Sequence, residues 1–139
     1  RMTMLAKYAV GYLATGIAFA LIDSIWLRTM YTRLYQPELG PLLGSLKLGP
    51  AVVFYLLYIA GMMWFAVAPA LANGRWQTAL IQGAVLGCLC YATYDLTNQA
   101  TLKMWSTKVT VLDIMWGTFL TGSASLTGWW VTTAIFGRN

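Results

Sequence analysis

Four long apolar runs separated by short polar breaks set the rhythm of the chain, over about 5–27, 51–72, 77–102 and 109–136. Each reaches the ~20 residues that an α-helix needs to cross a bilayer core. The first run closes on Asp23, Trp26 and Arg28, and its length and ending are those of a membrane span rather than a cleavable signal. The second carries no charge and ends with Pro69 before Asn73 and Gly74, a helix-stop pattern. The few residues over 73–76 make the second and third runs an antiparallel hairpin. The pattern predicts an all-α membrane protein with four transmembrane helices in an up-down bundle, one integral membrane domain over 1–139.

Composition sharpens this picture. The chain is 59% hydrophobic and 9% charged, far from the soluble average, and its seven Trp and eight Tyr suit rings placed at a lipid–water boundary. The nine basic residues behind the net charge of +5 lie near the ends of the apolar runs, not in one stripe. They anchor the helices and exclude nucleic acid as a partner. With no His in the chain, His-ligated haem, the common zinc sites and His-based acid–base chemistry are excluded. Cys88 and Cys90, one residue apart in an apolar run, are packing residues that a helix would point to different sides.

The long connection over 28–50 mixes Arg28, Arg33, Glu38 and Lys47 with Pro37, Gly40, Pro41 and several Leu, which predicts an interfacial or partly re-entrant segment, or a partner surface. Gly83 and Gly87 form a GxxxG pair in the third run, and Gly117, Thr121 and Ala124 continue small residues along the fourth. In lipid such stripes are helix-contact surfaces, and packing inside the bundle is the expected use.

The polar residues inside the runs carry the candidate chemistry. In an up-down bundle the first and third connections share one side of the membrane. Asp23 sits late in the first run, Asp95 late in the third and Asp113 early in the fourth, so all three carboxylates fall toward that side. An Asp at mid-bilayer costs ~2.5–3.5 kcal/mol on insertion scales, so these groups are expected to face one another, a partner or water. Tyr91, Asp95 and Asn98 share one helical face. Trp26 and Trp116 each follow an Asp by three residues, which places each indole N–H beside the carboxylate of its own helix. Crowded carboxylates cannot all ionise cheaply, so a proton, a cation or a basic side chain such as Lys103, Lys108, Arg28 or Arg33 is expected to neutralise the group. The balance of basic residues leans to a cytoplasmic carboxylate side.

Several strings together are similar to a known family: residues 21–27 around Asp23 and Trp26, Phe54-Tyr55-Leu56-Leu57-Tyr58, residues 65–71 around Pro69, Tyr91-Ala92-Thr93-Tyr94-Asp95-Leu96-Thr97-Asn98 and residues 113–118 around Trp116. They resemble the DUF2177 family of bacterial membrane proteins over nearly the entire chain. The resemblance implies a small multi-pass protein of the bacterial inner membrane and supplies no reaction. A glycine usual in the family at the position of Arg28 is replaced here, so a close steric role at that position does not carry over from the resemblance.

The leading expectation is a polar pocket built by Asp23, Trp26, Tyr94, Asp95, Asn98, Asp113 and Trp116, with Asp95 central and Asn98 orienting a ligand. Oxygen ligands dominate it, so it suits a proton, a hard cation, or a small polar or lipid headgroup. A satisfied hydrogen-bond network that only locks the helices together is the structural alternative. Two other functions stay open: an accessory or assembly subunit of a larger membrane complex or a homo-oligomer, and a membrane-embedded lipid-modifying enzyme. No nucleophile, cofactor or metal motif is evident, which ranks the enzyme last.

Overall fold

The computed structural model describes the backbone of residues 2–138. Four helices are long and apolar enough to cross a membrane, and among the described residues there is no strand. Helix α1 (Met2–Met30) passes through a π-turn (Tyr31–Tyr35) into the short α2 (Gln36–Leu39) and a 3-10 turn (Gly40–Leu42). Helix α3 (Leu48–Met62) likewise continues through a π-turn (Met63–Val67) into α4 (Ala68–Asn73). Helices α5 (Trp76–Thr101) and α6 (Thr107–Phe136) follow after short connections. Gly74 closes α4 in the left-handed region at φ 72°, where a residue without Cβ is not strained.

Most of the expected connection over 28–50 is therefore helical. Pro37 stands at the start of α2, where a missing N–H is tolerated, and the preceding π-turn accommodates the break. Leu34 and Leu39 are buried against Val109 of α6, with Trp26, Met30, Tyr35 and Trp105 packed around them. Glu38 accepts a hydrogen bond from the Ser106 hydroxyl, which also accepts from the Val109 N–H as the N-cap of α6. The extension thus runs antiparallel along α6 as far as its first residues.

The α5–α6 seam is the most extensive helix contact and α1–α6 the next. Small residues make the first possible. A Cβ on Gly87 would fall inside the Gly117 carbonyl oxygen, and one on Gly83 would stand 2.8 Å from Ser125 Oγ. A Cβ on Gly128 would collide with Thr15 of α1. The GxxxG pair is consumed inside the bundle, as close backbone approach in lipid requires. Leu5, Leu13, Ile17, Leu21 and Ile25 form an i, i+4 ridge on the outside of α1, in position to meet lipid.

Helix α3 is held differently. The Tyr58 hydroxyl and Thr121 Oγ1 share a hydrogen bond of 2.7 Å that ties it to α6, and Phe19 of α1 packs on the Tyr55 and Tyr58 rings. The backbone of α5 packs on the π-turn at Met63–Val67 and on α4, and hardly on α3 itself. The two helices are close at one end and apart at the other, the end of the carboxylates.

Candidate functional site

The three carboxylates meet. Asp23, Asp95 and Asp113, contributed by α1, α5 and α6, border one cavity of about 230 Å³. Tyr35, Tyr91, Tyr94, Trp105 and Trp116 supply its aromatic walls, and Leu27, Leu39, Leu43 and Val109 its apolar ones. Among the described residues no basic side chain lines it, and Arg28, Arg33, Lys103 and Lys108 are all exposed.

The carboxylates differ in how well they are satisfied. Asp23, 9% exposed, accepts from the Tyr55 hydroxyl at 2.8 Å on one oxygen and from the Trp116 indole N–H at 3.0 Å on the other. One side chain thereby joins α1, α3 and α6. Asp113, 8% exposed, accepts at one oxygen from the Tyr35 hydroxyl at 2.6 Å, and Tyr35 in turn accepts from the Trp26 indole N–H at 2.9 Å. Asp95 is 0% exposed and neither of its oxygens meets a donor. It lies beside Asp113. A buried carboxylate normally accepts two or more hydrogen bonds, and an unmade one costs ~1–3 kcal/mol or more for a charged group.

The indoles do not serve their own helices. Trp116 of α6 donates to Asp23 of α1, while Trp26 of α1 reaches the α6 carboxylate Asp113 through Tyr35. The two rings stack at 4.5 Å with an interplanar angle of 8°, and this stack crosses the donors between helices. The i, i+3 spacing that predicted pairing within each helix is overridden by the ring–ring contact.

Of the residues expected from sequence, Asp23, Tyr94, Asp95, Asp113 and Trp116 border the cavity. Trp26 stands behind it in the stack. Asn98 is half-buried outside the lining, beside the Tyr94 side chain, so it does not face the carboxylates. Tyr35, Tyr55, Tyr91 and Trp105 take part without having been singled out for the pocket. Tyr91 was the most findable, since it lies four residues before Asp95 on the same face. Its ring covers Gly117 so closely that no Cβ fits there.

A second space adjoins the first. About 420 Å³ is enclosed by Phe54 and Tyr58 of α3, Cys90, Tyr91 and Tyr94 of α5, and Asp113. Tyr91, Tyr94 and Asp113 border both spaces, so the apolar groove between α3 and α5 leads to the carboxylates. Cys90 is a free thiol in its wall, and Cys88 is exposed. Among the described residues no group of three or more His, Cys, Asp or Glu is placed to hold a metal ion.

Comparison with known families decides the kinship of the chain. The family profile described as "Predicted membrane protein (DUF2177)" matches residues 8–130. The chain belongs to the DUF2177 family. The matched span of this DUF2177 protein contains every residue that borders the two spaces. No curated protein and no solved structure matches it.

Proposed function

We propose that this DUF2177 protein is a binding protein of the bacterial inner membrane, whose Asp95–Asp113 pair receives an ammonium group. The observation that carries the reading is Asp95: a fully enclosed carboxylate with both oxygens bare, beside a second carboxylate with one oxygen engaged. Two acceptors in contact at low dielectric are relieved by a shared proton or by a positive, hydrogen-bond-donating partner between them. The aromatic walls select among such partners. Ammonium groups are attracted to the faces of Trp and Tyr rings. A proton alone would balance charge and leave this box of rings unused.

The reading is tested with the protein in phosphatidylcholine nanodiscs, titrated with ethylammonium and followed by tryptophan fluorescence, since Trp105 and Trp116 wall the cavity. Wild type is expected to saturate, and Asp95→Asn to weaken binding about 10- to 100-fold, the equivalent of ~1.5–3 kcal/mol for one charge-assisted hydrogen bond. Equal titrations of the two proteins would overturn the assignment.

A further inference from the structure

The positions of the two spaces along the helices say where the ligand comes from. Asp95 lies six residues before the end of α5, and Asp113 six residues after the start of α6. At 1.5 Å per residue both are about 9 Å from their helix ends. Helix α5 with 26 residues is ~39 Å long and α6 with 30 is ~45 Å, against a hydrocarbon core of ~30 Å, so with each helix centred in the core the carboxylates lie within about 2–5 Å of its boundary. Tyr58 and Cys90, at the far end of the groove, lie ten and eleven residues in, or about 15–17 Å from the same ends. The sites are therefore ordered along the membrane normal: acidic and aromatic near the headgroups, apolar toward mid-bilayer.

That order is the polarity of a lipid. The groove's mouth lies between α3 and α5 where their backbones hardly touch, within the span, and Phe54 at its edge is about half exposed on the outer surface of the bundle. Resting on the ammonium reading above, we infer that the ligand is a membrane lipid with a primary-ammonium headgroup, which enters sideways between α3 and α5. Its ammonium enters beside Asp113, which borders both spaces, and reaches the enclosed Asp95 oxygens as the side chains over them turn aside, while one acyl chain lies along Phe54, Tyr58 and Cys90. Charge complementarity fixes the class: the pair lacks a cation, a primary ammonium brings three donors, and a quaternary one brings none. The phosphate of such a lipid stays near the interface, on the side where Lys103 and Lys108 are exposed. A groove of about 420 Å³ takes one hydrocarbon chain and leaves the second in the bilayer.

The probe is phosphatidylethanolamine with a photoreactive diazirine in one acyl chain, in nanodiscs, with the phosphatidylglycerol analogue as control and labelled peptides mapped by mass spectrometry. Labelling of the α3 and α5 peptides that contain Phe54, Tyr58 and Cys90 is expected to exceed that of the control by about tenfold, the worth of one charge-assisted hydrogen bond. Asp95→Asn is expected to remove the excess. Cys90→Trp, which fills the groove, is expected to remove it as well. Because Cys90→Trp can disturb packing, native mass spectrometry of the unaltered chain released from mixed nanodiscs gives an independent reading. One retained phosphatidylethanolamine per chain supports the inference, and indiscriminate retention overturns it. If ethylammonium binds as expected but both lipids label the groove equally, lateral lipid entry fails and the ammonium site survives. If ethylammonium binding ignores Asp95→Asn, the site fails, and lipid entry falls with it.

Discussion

The α5–α6 seam and the carboxylate end of the bundle are built from the same helices by opposite means. Along the seam, Gly83, Gly87 and Gly122 bring backbones so close that a Cβ would crowd the carbonyls of Thr121, Gly117 and Leu80. At the carboxylate end, large rings stand between the helices: Tyr91 over Gly117, Trp26 on Trp116, and Phe54 on Tyr58 at 5.2 Å. The first region gains from dispersion and, among the buried side-chain atoms of the described residues, leaves only Ser125 Oγ without a partner, whereas the second leaves Asp95 bare. The difference separates the part of the molecule that provides stability from the part that gives some of it up.

Substitutions test that division. Gly87→Leu is expected to have the largest effect. Its side chain meets the Gly117 carbonyl, a backbone group that cannot turn aside, so the cost reaches or exceeds the upper end of the ~1–3 kcal/mol typical of overpacking. Loss of monodisperse protein in gentle detergent and a collapsed melting transition are the readouts. Asp23→Ala comes next. It strands the Tyr55 hydroxyl and the Trp116 indole, and should cost ~1.5–3 kcal/mol in a chemical-denaturation or steric-trapping measurement. Tyr35→Phe removes the relay between Trp26 and Asp113 for about 1 kcal/mol. Asp95→Asn is expected to have the smallest effect on the unliganded fold, unchanged or slightly raised melting, because no donor is lost with the charge. A melt in which Asp95→Asn destabilises as much as Asp23→Ala would erase the contrast and return Asp95 to a structural role.

Much of the architecture was legible because lipid imposes simple rules. A run of apolar residues long enough to span has few folds open to it, and Asp residues inside such runs must find company. The cavity's acidic half followed from that. Its aromatic half did not, for two reasons visible in particular residues. Tyr35 and Tyr55 look like interfacial belt residues, since nothing local marks a tyrosine whose partner is 78 or 32 positions away. The indoles are exchanged between helices by a stack that only the α1–α6 packing creates. Asn98 shows the converse, a polar residue whose helical face was right but whose position, nearly a full turn beyond Asp95, carried it past the cavity. Pro37 and Pro41 read as loop because proline breaks helices, yet each stands in the first turn of a new helical segment, Pro37 in α2 and Pro41 in the 3-10 turn, where a missing N–H is tolerated.

Those π-turns have a consequence for how the chain tolerates change. A regular helix advances by 100° per residue, and a widened turn delays that advance, so everything after it is set to a new angular phase. In the stretch after Met30, the phase is the one that aims Tyr35 and Leu39 at α6. Removing a single residue between Met30 and Tyr35 would swing both toward lipid and unroof the acidic chamber while leaving hydropathy untouched. Length in this short interval, more than the identity of its side chains, is what keeps the lid above the three carboxylates.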